Sequence, residues 1–343
     1  MIDFRYHLVS IVAVFLALAI GIVVGAEALT PNVANQLNKE SKHALKQNDQ
    51  LNAQIAQFKQ QVTADNAFAQ AAAPALLANL LAAQKVVLVT APGAGNSTVN
   101  GITTAIKQAG GTLTGTVSLT PKFFDTDVTT ETTLTTTAGQ LAPPGVSSSQ
   151  PGGQIVGQQA AAKVIAAAIM ACCGTPTLTA GQTRSVLTGF GDQGFLQVSS
   201  TTGGSSLTGQ ATLAVVVIPG ATAANASSLS PENLALIYLT RDLTQAGKGA
   251  LLAGSVQGSG NGSAIDAVTS GGAGFSLTTV DNADTETGQI IVVQALRNEL
   301  NPDTTPTSYG VGPGVVPSPA PPSSPTPSAS PSPARKKKKT VKS

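Results

Sequence analysis

The run KVVLVT, residues 85–90, is the first of three short, continuously apolar stretches that decide the fold. The other two are LAVVVIP at residues 213–219 and GALLAGS at residues 249–255. Strands that are buried on both faces of a sheet have this composition. A strand of a membrane barrel would instead alternate apolar and polar residues over about 9–11 positions. Only residues 110–120 approach that alternation.

Helical patterns lie between these strands. The stretch after KVVLVT is amphipathic as far as Ala109, and residues 231–247 begin with a proline and end on a glycine, as helices often do. The run FSLTTV at residues 275–280 reads as a last strand, and residues 285–300 follow it as a helix. Strands that alternate with helices predict an α/β domain with a mostly parallel sheet, over residues 75–300.

A long apolar run, LVSIVAVFLALAIGIVVGA, occupies residues 8–26, with Ser10 as its only polar side chain. About 20 such residues cross the hydrocarbon core of a bilayer as a helix. A cleaved signal peptide is the alternative, but its apolar part usually has about 7–15 residues behind a clearly basic segment. A buried core helix is a third reading, although it would normally show a polar stripe. We predict a retained transmembrane helix at residues 8–26, after a short N-terminal segment at residues 1–7.

The charges around this run indicate its direction in the membrane. Arg5 and the terminal amino group precede the run, and Glu27 follows it closely. The positive-inside rule favours a cytoplasmic N-terminus and a C-terminal domain on the extracytoplasmic side, although Lys39, Lys42 and Lys46 weaken the contrast.

Residues 27–74 form the predicted stalk. Between Pro31 and Pro74 the sequence contains neither proline nor glycine, which favours one long helix. Steps of three and four residues give an apolar seam with one polar member: Ala44, Asn48, Leu51, Ile55, Phe58, Val62 and, weakly, Ala69. This pattern predicts a coiled-coil-like helix through which copies of the chain associate. A helix packed on its own domain is the alternative, because the seam lasts only about two heptads.

The tail has a different composition. Residues 301–343 hold eleven of the chain's 21 prolines, interleaved with Ser, Thr and Ala. Such a segment cannot bury a core, so we predict a disordered tail. Six basic residues and one acidic residue lie in this tail, so the rest of the chain is mildly acidic. A nucleic-acid-binding domain would carry basic residues on its folded elements, so none is predicted.

The inventory of catalytic side chains is small. The chain has two histidines, His7 and His43, and both precede the α/β domain. Catalysis by a Ser-His-Asp or Cys-His arrangement needs the histidine within hydrogen-bond reach of the nucleophile. Catalysis by carboxylates or lysine alone stays open, but no motif points to it, and the chain is predicted not to be an enzyme.

Soft metal ligands occur together at one place in the domain. Met170, Cys172 and Cys173 end the Ala-rich stretch AAAKVIAAAIMACCG. Thioether and thiolate sulfur select Cu(I), and this spacing at a helix end can turn the thioether and one thiolate to the same side. The alternative is that all three are ordinary core residues. A structural disulfide between adjacent cysteines is not expected, because disulfides join separated Cα atoms with converging Cβ vectors.

Two further motifs each have a functional and a structural interpretation. The glycines of Gly93-Ala94-Gly95 follow a predicted strand and precede a predicted helix, which is a position where a phosphate group can bind. The third glycine of a dinucleotide-binding fingerprint is replaced by Thr98, so a tight turn is favoured.

The carboxylates of Asp281, Asp284 and Glu286 could bind Ca²⁺ or Mg²⁺. Helix capping is favoured instead, with Asp284 as N-cap and Glu286 in the first turn.

Three parts of the sequence together carry a family resemblance: the opening MIDFRYHLVSIVAVFLALAIGIVVGA, the heptad helix that follows it, and VDNADTETGQIIVVQAL at residues 280–296. With these parts, the sequence resembles the mycobacterial copper transport protein B (MctB) family. The resemblance extends from Met1 to about Leu300, and the FRYH lead before the apolar run is its most specific part.

This resemblance implies a membrane-anchored envelope protein of copper homeostasis, with copper as the transported ion. One apolar helix cannot form a pore, so transport would need oligomerisation through the stalk, a barrel built from the Thr-rich strands, or a partner protein. A non-enzymatic envelope scaffold that presents the α/β domain on its stalk to a partner is the alternative. An enzyme would require the Gly93 loop and the Asp281 cluster to share one pocket.

Overall fold

The computed structural model describes residues 4–147, 155–172, 177–200, 203–220, 229–255 and 262–320, without the side chains of residues 4–5, 26–35 and 37. The chain divides into two units, Met1–Ala67 and Phe68–Ser343.

The first unit consists of the amino-terminal part of helix α1, which spans Phe4–Leu77 and passes through both prolines of the stalk. Within the described residues, one helical stretch is long and apolar enough to cross a membrane, Tyr6–Gly25, and none of it is buried. A buried core helix is therefore excluded for this stretch. The predicted N-terminal apolar helix is confirmed, with bounds within two residues of those read from the sequence, and its length and composition suit one crossing of a membrane.

The seam of the stalk is exposed in the first unit. The exposed fractions are 57% for Leu51, 49% for Ile55, 64% for Phe58 and 52% for Val62. In the second unit, the last turns of α1 behave differently, because Leu77 is fully buried in the domain. The last turns of α1 therefore pack on the domain, and Ala69, the weak last member of the predicted seam, is buried there.

The second unit is an α/β domain. Its remaining elements, in chain order, are β1 (Lys85–Thr90), α2 (Asn96–Gln108), β2 (Thr112–Leu119), a 3-10 turn (Pro121–Phe124), α3 (Val128–Leu141), α4 (Val156–Ile169), α5 (Ala180–Asp192), β3 (Leu196–Ser199), β4 (Leu213–Val217), α6 (Pro231–Ala246), β5 (Gly249–Ala253), α7 (Ala264–Thr269), β6 (Thr278–Val280), α8 (Glu286–Glu299) and β7 (Ser308–Tyr309).

The seven strands form one sheet in the order β3-β2-β1-β4-β5-β6-β7. Every neighbouring pair is parallel except β2 and β3. The chain builds outward from β1 to β2 and β3, and then returns to place β4 on the other side of β1. In open α/β sheets, ligands bind at the carboxyl ends of the strands where the order reverses in this way. The mostly parallel sheet predicted from the sequence is confirmed.

Helices cover both faces of the sheet. The end of α1, with α2 and α8, packs on one face, and α3 to α7 pack on the other. Successive residues of a strand point to opposite faces of the sheet and pack in different cores. Val87 and Val89 of β1 pack in the core with α3 to α7, and Val86 and Leu88 pack in the core with α1, α2 and α8. Burial on both faces explains why the central strands are continuously apolar.

The domain extends beyond Leu300, which was its predicted last residue. Residues 308–309 form strand β7, and Tyr309 is 6% exposed. Val316 N donates to the carbonyl of Ser308, which folds the chain back on this strand. The disordered tail predicted for residues 301–343 is therefore wrong for residues 301–320, because a buried tyrosine and backbone pairing hold that part on the sheet. Residues 321–343, including the basic end, lie outside the described residues.

Candidate functional site

Two of the three predicted copper ligands, Met170 and Cys172, lie beyond the end of the helix that precedes them. Helix α4 ends at Ile169, and Met170 has the extended backbone of a residue that caps it, with φ −107° and ψ 148°. Cys172 follows two residues later in irregular chain, and Cys173 lies outside the described residues. The helical spacing that would bring a thioether and a thiolate to the same side is therefore not present.

Met170 is held in the domain core. It is fully buried, and a Cβ on Gly247 would overlap with its Cε methyl. Its backbone is fixed as well, since Gln210 Nε2 donates to the Met170 carbonyl at 2.9 Å and Ala211 pairs with it as a parallel bridge. The thioether therefore contributes to packing here, as the core interpretation of the sequence expects.

Cys172 is half-buried, and its sulfur is in a disulfide. The sequence contains just one other cysteine, Cys173. The expectation that no disulfide would form between these neighbours concerns Cys173 as well, which lies outside the described residues. The thiolate is the metal ligand of cysteine, so a disulfide sulfur must be reduced before it can bind Cu(I).

The carboxylates of residues 281–286 lie in different environments. Asp281 is fully buried, whereas Asp284 is exposed. In the part of the chain that the structure describes, no group of three or more His, Cys, Asp or Glu side chains could hold a metal ion. These residues therefore do not form the Ca²⁺ or Mg²⁺ site that the sequence left open.

Asp281 binds the segment that follows the last helix. Its Oδ1 accepts a hydrogen bond from Val311 N at 2.8 Å, and its Oδ2 accepts one from Gly312 N at 2.7 Å. Gly310 has φ +136°, and a Cβ there would overlap with Oδ1 of Asp281. Because a left-handed backbone and a close approach both favour glycine, the glycines of this segment could have indicated a fixed turn in the sequence.

The rest of this block begins helix α8. Thr285 is the N-cap, with an extended backbone, and its Oγ1 accepts a hydrogen bond from Gly288 N at 3.0 Å. Asp284 was predicted as the cap, so that assignment is wrong by one residue. Glu286 does lie in the first turn, as predicted, where the helix dipole favours a negative charge.

The Gly93 loop follows β1 and precedes α2. Gly93 has φ +81°, in accord with the tight turn favoured from the sequence, and Gly95 caps α2 without a side-chain hydrogen bond. A nearby cavity of about 350 Å³ is lined mainly by polar side chains of β1, α2, β2 and the end of β3, among them Thr90, Asn100 and Ser118.

The Gly93 loop and Asp281 are far apart in the sheet. Strands β4 and β5 lie between β1 and β6, which precede the two motifs. Three strand spacings of about 4.8 Å give roughly 14 Å. The shared pocket that an enzyme reading required is not formed by these two motifs.

Two carboxyl groups have perturbed acidity, that of the buried Asp242 and that of the half-buried Glu299. Burial raises the pKa of Asp242 above its usual value, although the hydrogen bond and charge of Arg241 and the charge of Lys163 oppose that effect. Arg241 donates to Oδ1 of Asp242 and lies over the ring of Tyr238, 4.6 Å from its centroid. Burial also raises the pKa of Glu299, which accepts a hydrogen bond from Thr278.

The sequence matches, over residues 1–319, the family described as "Copper transport outer membrane protein, MctB". The chain belongs to the MctB family. Relatives named "Copper transporter MctB" from Mycobacterium bovis and Mycobacterium tuberculosis are 30% identical over 318 residues, which cover 92% of this chain and 98% of each relative. A relative of the same name from Mycobacterium leprae is 31% identical over 316 residues, with the same coverage.

The MctB match confirms the family suggested by the opening block and by residues 280–296. The matched region extends beyond Leu300 and ends at residue 319, close to residue 320, the last residue that the structure describes. The segment that Asp281 binds is therefore part of the region that matches the MctB family, whereas residues 320–343 lie beyond the match. The MctB relatives are named as transporters, not as enzymes.

Proposed function

We propose that this protein contributes to copper efflux as a single-pass, membrane-anchored envelope protein without catalytic activity. The observation that carries the proposal is the MctB match over residues 1–319, together with relatives named "Copper transporter MctB". The apolar stretch Tyr6–Gly25 provides the anchor, since its length suits one crossing of a bilayer. The excess of positive charge before this stretch favours a C-terminal domain on the extracytoplasmic side.

Transport requires more than one copy of the chain or a partner. One helix cannot enclose a pore, and the described strands of the domain form an open sheet with helices on both faces. We infer that copies associate through the exposed seam of α1. Leu51, Ile55, Phe58 and Val62 supply the apolar surface for that contact, because each is about half exposed or more in the single chain.

Copper binding is proposed at Met170, Cys172 and Cys173. These residues offer the soft sulfur ligands that Cu(I) prefers, and Cu(I) accepts low coordination numbers. Binding requires a reduced pair of cysteines: two molecules of a small thiol transfer two electrons and two protons to the two cysteine sulfurs and leave joined to each other as a disulfide. Met170 is buried against Gly247, so it can become a third ligand only if the chain after α4 rearranges.

The Cys172→Ser, Cys173→Ser double variant tests this site. We expect the reduced parent to bind Cu(I) and the double variant to lose most of that affinity, together with the copper tolerance of cells that produce it. Met170→Leu keeps the apolar volume and is the matched control for packing, so a loss of affinity with unchanged thermal unfolding would assign the thioether as a ligand. Equal Cu(I) affinity and equal copper tolerance in parent and double variant would reject the cysteine site.

The envelope scaffold is a second candidate, favoured by the exposed seam of the stalk. A scaffold needs the stalk and a domain surface but no metal ligand. Purified, reduced protein that binds no Cu(I) at all, from a strain in which the protein still alters copper tolerance, would favour the scaffold over the carrier.

A further inference from the structure

We propose that α1 pairs two copies of this chain in a parallel, in-register, two-stranded coiled coil, in which Asn48 faces Asn48 of the second copy. This inference rests on the proposed association through the stalk and adds the number of chains, their direction and their register.

The heptad positions favour two strands. With Asn48, Ile55 and Val62 at the a positions, Leu51 and Phe58 occupy the d positions. β-branched residues at a with leucine at d favour a dimer, and a single asparagine at an a position specifies both register and a two-stranded state.

The seam is free to take a partner in the single chain. Its four large apolar members, Leu51, Ile55, Phe58 and Val62, are between 49% and 64% exposed. Asn48 is exposed as well, and its Oδ1 accepts a hydrogen bond at 2.7 Å from Nδ2 of Asn52, one turn further along. Asn48 therefore satisfies its acceptor locally in one copy and can exchange this bond for one across the pair.

The membrane span sets the direction. Tyr6–Gly25 lies on the same helix as the seam and on its amino-terminal side. Two copies that are anchored in one membrane leave it on the same side, so their seams run in parallel. Anchoring also raises the effective concentration of the partners, which allows a seam of about two heptads to pair.

The charged side chains near the seam lie at heptad positions that are compatible with this pairing. Four charged residues in or just before the seam occupy the outer positions b and f, Lys39, Lys42, Lys46 and Asp49, and Glu40 occupies a g position opposite the uncharged Leu45. The flanking e and g positions of the seam are Gln47, Asn52, Gln54, Lys59 and Gln61, so no two like charges face each other between g of one copy and e of the other. Asp65 occupies the next d position and ends the seam.

Disulfide cross-linking of the full-length chain in lipid nanodiscs tests the geometry. In a Cys172→Ser, Cys173→Ser background, Ile55→Cys places a thiol at a central a position, and Ala53→Cys places one at an outer f position. We expect oxidation to join Ile55→Cys into a product of twice the chain mass and to leave Ala53→Cys as single chains. Equal cross-linking of both variants, or of neither, would overturn the parallel pairing.

Native mass measurement of the same particles tests the number of chains. The parent should give two chains per particle, and Asn48→Leu should add trimers or tetramers, because the residue that specifies a dimer is lost and no β-branched residue replaces it at that a position. Gln50→Leu, at the outer c position, is the matched control and should stay dimeric. A parent with three or more chains, or an Asn48→Leu variant that remains strictly dimeric, would overturn the role of Asn48.

The coiled-coil proposal and the transport proposal can fail independently of each other. A monomer that still lowers cellular copper would reject the coiled coil and leave the transport proposal standing. A cross-linked dimer from cells whose copper content is unchanged by the protein would support the coiled coil and reject transport.

Discussion

At the scale of single residues, Asp281 holds the end of the domain together. Its carboxylate is fully buried and accepts two backbone hydrogen bonds, from Val311 and Gly312. Buried acceptors of this kind satisfy donors that would otherwise be unpaired away from water. The side chain thereby fixes a segment that returns along the sheet after α8.

Asp281→Asn should destabilise the domain and release this segment. An amide keeps one acceptor oxygen but turns its NH₂ group toward one of the two backbone N–H donors. Hydrogen bonds to charged groups contribute about 1.5–3 kcal/mol each, so we expect a loss of about 2–4 kcal/mol in the free energy of unfolding. Chemical denaturation measures the loss, and hydrogen exchange at Val311 and Gly312 should become faster. Asp284→Asn, on an exposed neighbour, is the control and should change neither.

The acidic block was only partly predictable from sequence. Its placement before a helix and the position of Glu286 follow from local capping preferences, which the sequence carries. The burial of Asp281 depends on residues thirty positions further along, in a stretch whose proline content resembles disorder. The cap itself shifted by one residue because Asp284 and Thr285 are both good capping types, and neighbouring caps are hard to separate from sequence.

At the scale of elements, the stalk seam and the domain core use different parts of α1. The large apolar members of the seam lie in the first unit and are exposed, while the last turns of the helix are buried in the second. An exposed row of large apolar side chains on a helix indicates a surface for association.

Leu51→Asp combined with Ile55→Asp should abolish self-association. Each substitution would bury an unpaired charge in the seam, at a cost on the order of several kcal/mol. Light scattering of the full-length protein in detergent should then report single chains. Gln50→Asp combined with Gln57→Asp, on the outer side of the helix, is the control. If the Leu51→Asp, Ile55→Asp variant still associates, the seam does not mediate self-association.

The elements differ in how strongly the sequence predicted them. The bounds of α6 follow directly from Pro231 and Gly247, and β4 and β5 follow from apolar runs. Helix α5 was not predicted: three of its thirteen residues are glycine, and four are buried. The end of α4 was placed too late, because Ala171 and Met170 are good helix formers and the bridge between Met170 and Ala211 that stops the helix is a tertiary contact.

At the scale of the whole molecule, buried and half-buried carboxyl groups make stability depend on pH. The pKa values of Asp242 and Glu299 are both raised in the folded protein, mainly by burial. A raised pKa means that the folded state holds the proton more tightly than the unfolded state does. This tighter proton binding adds to the free energy of unfolding. The contribution is complete at a pH below the pKa of the group in the unfolded chain, and it is lost as the pH rises through the pKa of the group in the folded protein.

Glu299→Gln should therefore flatten this dependence. In the parent, the free energy of unfolding should fall as the pH rises above about 4.5, the ordinary value for Glu299. The amide cannot ionise and still offers an oxygen to the Thr278 hydroxyl, so the variant should match or exceed the parent at neutral pH. Asp303→Asn, on an exposed loop, should follow the parent curve. A Glu299→Gln curve with the same slope as the parent would contradict the effect of burial.

The central claim is that an anchored MctB-family protein lowers cellular copper, and copper content measures it most directly. The host is a bacterium lacking its own family member, complemented with the full chain, with a chain lacking residues 1–26, or with an empty vector. We predict less intracellular copper with the full chain and the empty-vector level with the shortened chain, at equal protein amounts. Copper at the empty-vector level with the full chain would contradict transport, and equal rescue by the shortened chain would contradict the need for the anchor.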